Sequence, residues 1–96
     1  MSITNQSKRE YIYSLYDVKA RTYGSAITHE DEVGVQLFFS QLVNTKGSGS
    51  CNTHPEDFVL YSIGSILDGR VESEHRIVVS LSALVKNLHC KSEGVK

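Results

Sequence analysis

The run Phe58-Val59-Leu60-Tyr61-Ser62-Ile63-Gly64-Ser65-Ile66-Leu67, closed by Asp68-Gly69, constrains the fold of this chain more than any other segment. Its β-branched, aromatic and aliphatic residues are those that suit a pleated, half-buried strand. Asp-Gly accepts the positive φ angles of a type I′ turn, so the chain is expected to double back with Arg70 to Ser73 antiparallel to the strand. An isolated hairpin is marginal in water, so other elements must complete the sheet and cover it.

A second strand is predicted over Tyr11 to Val18, reading YIYSLYDV. The two-residue period of a strand puts Tyr11, Tyr13 and Leu15 on one face and Ile12, Ser14 and Tyr16 on the other. Lys19 to Thr28, with Tyr23, Gly24 and Ser25, suits a loop ending at Thr28 as helix cap. Glu30, Asp31 and Glu32 favour the positive end of a helix dipole. Val35, Phe38, Phe39, Leu42 and Val43 then recur at helical spacing, predicting a helix from His29 to Asn44.

Thr45 to Asn52, reading TKGSGSCN, is a flexible surface loop by composition. Thr53 and Glu56 match a capping box, with Pro55 between them fitting a short turn that leads into the strand at Phe58. Beyond the hairpin, Ile77, Val78 and Val79 favour a strand, whereas Leu81, Leu84, Val85 and Leu88 form a helical stripe. A short strand and then a helix are expected.

These segments predict an α+β fold: a small, mostly antiparallel sheet of three to four strands with one main covering helix and a short C-terminal helix. At 96 residues there is length for one core, so residues 11–90 are read as a single domain. The polar leader 1–10 and the tail 91–96 lack the apolar content to offset ordering and are expected to be disordered. A domain of this size buries only about 60 to 65% of its unfolded surface, and a homodimer is one natural support.

Hydrophobic residues at 40% and charged residues at 22% describe a packed globular chain. The formal charge of −1, from 10 basic and 11 acidic residues, gives no general attraction to nucleic acid or anionic lipid. Nucleic-acid binding would need a local patch. Cys51 and Cys90 lack the dense spacing of a disulfide scaffold, which points to a reducing compartment. No apolar run nears the roughly 20 residues of a membrane span, and no signal-peptide core is seen in Met1 to Glu10, so a soluble, unprocessed protein is expected.

Two blocks carry a resemblance. Tyr13-Ser14-Leu15-Tyr16-Asp17-Val18-Lys19-Ala20 and His54-Pro55-Glu56-Asp57-Phe58, running on into Leu60-Tyr61-Ser62-Ile63-Gly64, resemble paired signatures of the nonstructural protein of gokushovirus-type Microviridae. The same order of opening strand, helix, second block and Asp-Gly turn is present, over roughly Tyr11 to Val71. The resemblance implies a phage protein absent from the mature virion, acting in the bacterial host's cytoplasm during genome replication, by binding DNA or steering synthesis towards single-stranded genomes. It implies no catalytic residue, cofactor or metal.

The residues themselves suggest little turnover chemistry. His54, Glu56 and Asp57 could serve as acid-base groups. Local folding accounts for them better: a cap with Thr53, a favourable helix dipole, and an extended residue before Pro55. Cys51 and His54 with His89 and Cys90 contain zinc-ligand types, yet adjacent residues such as His89 and Cys90 diverge on a helix and no second closely spaced pair exists. Asp17 and Lys19 are expected to make surface pairs, across the sheet or with each other's neighbours. Nucleotide-binding and hydrolase motifs are lacking, so no enzyme and no cofactor are expected.

Tyr11, Tyr13, Tyr16, Tyr23 and Tyr61 offer possible stacking faces, and Lys8, Arg9, Lys19 and Arg21 lie near several of them. Sequence-tolerant stacking favours single-stranded over duplex DNA. The nucleic-acid candidates are therefore Lys8, Arg9, Tyr13, Tyr16, Lys19, Arg21 and Tyr61. Asp17, His54, Pro55, Glu56, Asp57, Phe58 and Gly64 are read as structural motif residues. Alternating aromatics also fill cores, and Glu10 and Asp17 offset the basic residues. An interaction module docking a second copy, or a phage or host replication protein, is the competing expectation.

Overall fold

The computed structural model describes residues 8–86, so the expectations for residues 1–7, for Leu88, His89 and Cys90, and for the tail lie outside the described residues. Five antiparallel strands and two helices form the α+β fold that the sequence predicts. In chain order these are β1 (Glu10–Asp17), β2 (Thr22–Tyr23), β3 (Ile27–His29), α1 (Glu32–Val43), α2 (Ser50–Thr53), β4 (Phe58–Leu67) and β5 (Arg70–Ser80), with 3-10 turns at Pro55–Asp57 and Leu81–Leu84. The sheet order is β2-β1-β4-β5, and β3 also pairs with β1. Since β4 pairs with β1 from Glu10 to Asp17, β2 and β3 share the opposite edge of β1.

β4 occupies the expected residues, and the turn after it has φ of 51° at Asp68 and 76° at Gly69, the pair of positive angles that a type I′ hairpin requires. The return strand is longer than expected. Arg70 to Ser73 and the apolar Ile77 to Val79 belong to one strand, β5, whose register shifts opposite Leu60/Tyr61 and Ser62/Gly64 absorb its irregular side-chain pattern.

Three further expectations are corrected. The segment Lys19 to Thr28 is not all loop: Tyr23 pairs with Tyr16, and Thr28 pairs with Ile12 instead of capping a helix. The helix starts at Glu32 because Asp31 Oδ1 accepts from the Gly34 N–H at 2.6 Å, satisfying a donor of the first turn. The capping box of Thr53 and Glu56 does not form, since Thr53 Oγ1 donates to the Gly49 carbonyl and no side chain caps the turn at Pro55. The glycine-serine loop also shelters the single turn α2.

α1 covers one face of the sheet. Val35, Phe39 and Val43 recur every four residues on its inner side and meet Tyr13, Leu60 and Leu81, all at most 5% exposed. Complete burial of one such side chain contributes about 1.5–3 kcal/mol. The other face of the sheet has no helix over it among the described residues.

Candidate nucleic-acid interface

The uncovered face is set by strand alternation. Tyr16 in β1 stands opposite Tyr23 in β2, while Tyr61 in β4 stands opposite Ser14 and Ile77. Neighbouring and diagonal side chains on one face lie within reach of each other. The result is a chain of rings: Tyr16 to Tyr23 at 4.7 Å between centroids, Tyr23 to Tyr61 at 5.5 Å, and Tyr61 to His75 at 4.6 Å. The last pair is stacked, with planes 23° apart. The Tyr23 hydroxyl lies 2.7 Å from His75 Nε2.

This group is half open to solvent. Tyr23 is 46% exposed, His75 is exposed, and Tyr16 and Tyr61 are half-buried against one another. The Tyr23 phenol is pushed above its ordinary pKa by loss of surrounding water and by the adjoining Tyr61 and Tyr16 phenols. Its ring therefore stays neutral across the neutral range. Faces of this kind can stack on unpaired bases, each stack contributing about 1 to 3 kcal/mol.

Basic residues divide by face. Lys8 Nζ pairs with Glu30 at 3.0 Å. Arg9 pairs with Glu72 at 3.0 Å and donates to Ser65 Oγ. Arg9 follows the alternation of Tyr11 and Tyr13, so it belongs to the helix-covered side. Lys19 and Arg21 occupy the exposed turn between β1 and β2, next to the Tyr16–Tyr23 pair, and among the described residues their side-chain charges have no ion pair. Of the seven candidates for nucleic-acid contact, the structure brings together Tyr16, Tyr61, Lys19 and Arg21. Tyr13 is the correction: at 1% exposure its ring is enclosed in the core and presents no stacking face.

The motif residues have local work. Asp17 Oδ1 accepts from the Lys19 and Ala20 N–H groups, both at 3.0 Å, so it shapes the turn, and among the described residues neither Asp17 nor Lys19 forms an ion pair. The Asp57 carbonyl accepts from Val18 N–H at 2.9 Å, joining the two signature blocks. Phe58 packs against the core, and Pro55 opens the 3-10 turn that delivers β4. Gly64 allows close approach of β5: a Cβ there would lie 2.6 Å from the Glu72 carbonyl oxygen.

His54, Glu56 and Asp57 do gather, with ligand-type atoms within 4.8 Å of one another and His54 Nδ1 3.7 Å from Glu56. His54 and Glu56 are exposed, and no cavity encloses them among the described residues. Solvated charges in this setting are weakly coupled. Among the described residues no helix is long and apolar enough to cross a membrane.

His75 is the site member that sequence reasoning missed. It lies where β5 shifts register, so neither alternation nor motif spacing reveals its partner. Tyr23 had a visible signal as an aromatic near Tyr16, but its seat in a two-residue strand did not.

No curated protein and no solved structure matches the chain. The family described as Phage ORF5 protein matches residues 10–82, from the first residue of β1 into the last 3-10 turn. All five strands and α1 fall inside that match, and the chain belongs to the Phage ORF5 protein family.

Proposed function

We propose that this phage accessory protein binds single-stranded DNA on the open face of its sheet, in the manner of a gokushovirus-type nonstructural protein acting in genome replication in the host cytoplasm. The observation that carries the reading is the ring group Tyr16, Tyr23, Tyr61 and His75, with Lys19 and Arg21, which form no ion pair among the described residues, in the adjoining turn. Bases stack on the rings and phosphates meet the cations. Such binding reads no sequence and requires unpaired bases. The reading assigns no catalytic step.

The net charge of −1 keeps the electrostatic part small, so stacking must supply most of the affinity. Fluorescence anisotropy with a labelled oligothymidylate of about 15 nucleotides at about 50 mM salt tests this, beside a duplex of equal length. Preference for the single strand, weakened about tenfold by Tyr61→Ala and by Tyr23→Ala, is the expected result. Equal affinity for duplex, or no affinity, overturns it.

A second reading has its own observation. Val33, Leu37 and Phe38 on α1 are 78%, 58% and 48% exposed, an apolar surface that suits a protein partner. Under that reading, substituting these residues removes partner binding while the tyrosine variants leave it intact.

A further inference from the structure

We propose that β5 is the subunit interface of a homodimer: its free edge pairs antiparallel with β5 of a second copy and joins the two sheets into one. This goes beyond the DNA reading and does not depend on it. β5 is the last strand in the sheet order, eleven residues long, and no strand among the described residues pairs with its outer side. Its first eight residues, Arg70 to Ile77, are all exposed, so nothing among the described residues overhangs the edge. Proline and lysine, two usual guards of an open edge, are absent from the strand.

The strand's own pattern points to a second copy as the occupant. Through the register shift opposite Ser62/Gly64 the side chains of β5 still alternate: Glu72, Glu74 and Arg76 meet Arg9, Ser62 and Glu32 on the helix-covered side, while His75 lies against Tyr61 on the open side. Two identical antiparallel strands form an isologous contact, so every pairing occurs twice. With Glu74 on the two-fold axis, Glu72 stands opposite Arg76 of the second copy, and Arg76 opposite its Glu72. On the open side Val71 stands opposite Ile77 in the same reciprocal way. These two are 65% and 59% exposed, the large apolar side chains that β5 leaves to solvent, and the pairing covers both.

Glu74 meets its own copy on the axis. Its carboxylate turns back to the Ser62 hydroxyl and lies 3.7 Å from Arg76, which offsets the like charge. Registers displaced by two residues fit less well. One sets Glu72 against Glu74 and Arg70 against Arg76, and like charges directly opposite destabilise a ladder. The other sets Ile77 against Ser73 and Glu72 against the half-buried Val78, which leaves Ile77 without an apolar partner. In the favoured register the two-fold axis is perpendicular to the sheet, so both tyrosine groups lie on the same side of the joined surface.

The test is sedimentation equilibrium of the full chain at about 100 μM, a concentration suited to an interface of modest area, where wild type is expected to show twice the mass of one chain. Glu72→Arg sets arginine against Arg76 at both ends of the pairing, and Arg76→Glu sets glutamate against Glu72. Each variant alone is expected to associate about tenfold more weakly. An equimolar mixture of the two restores opposite charges at both positions and is expected to dimerise as wild type does. Both residues are exposed and their ion pairs within the chain are weak ones, so the fold is retained, which circular dichroism verifies. A monomeric wild type, undiminished association of Glu72→Arg, or a mixture that stays monomeric overturns the inference, and none of these results bears on the DNA reading.

Discussion

Gly64 of β4 and Glu72 of β5 approach so closely that a Cβ on Gly64 would sit 2.6 Å from the Glu72 carbonyl oxygen. The obstacle is backbone, which cannot rotate aside as a side chain can. Gly64→Ala is therefore expected to force the two strands apart and lower stability by about 1–3 kcal/mol, the range for overpacked interiors. A urea unfolding curve checks this. A midpoint equal to wild type would refute it.

Asp17 holds the turn that presents Lys19 and Arg21, through two 3.0 Å bonds from backbone N–H groups to a single oxygen. Asp17→Ala leaves both donors to solvent and should cost about 0.5–2 kcal/mol, while Asp17→Asn, which keeps an acceptor, should retain much of that. Thermal melts of the two variants separate them. Equal losses would show that charge, not the acceptor, is what matters.

Tyr13 carries a pH signature. Burial, followed by the nearby Glu32 carboxylate, pushes its phenol above the ordinary value. In the unfolded chain that phenol ionises near pH 10, whereas in the folded protein it holds its proton, so the unfolded state binds fewer protons above that point. The contribution is fully present below about pH 10 and is lost as pH rises towards the folded value. Stability measured from about pH 9 to 11 should fall more steeply for wild type than for Tyr13→Phe. Parallel curves would remove Tyr13 as the cause.

Much of this architecture was legible because each element has a short-range cause. β4 and its turn follow from a ten-residue run dominated by apolar and aromatic strand formers and from Asp68-Gly69, and α1 follows from apolar residues at helical spacing. Its start was misjudged because Thr28 and Asp31 are both good caps. Only the pairing of β3 with β1 decides between them. The open-face site was half legible. Two-residue alternation already put Tyr13 and Tyr16 on opposite faces, so both could not serve one surface, and the structure assigns Tyr13 to the core. His75 was hidden because contacts across a register shift depend on the partner strand, which no local pattern encodes.

One border of the sheet is finished by β2 and β3, two and three residues long and separated by Gly24-Ser25-Ala26. No stretch there is long enough to template an incoming chain. Among the described residues that rim therefore offers few backbone groups for another strand to pair with, in contrast to the eleven-residue β5 at the opposite rim. The border next to the tyrosine face is thus blunted against joining a second sheet, and the long rim at β5 is the one through which edge pairing would run among the described residues.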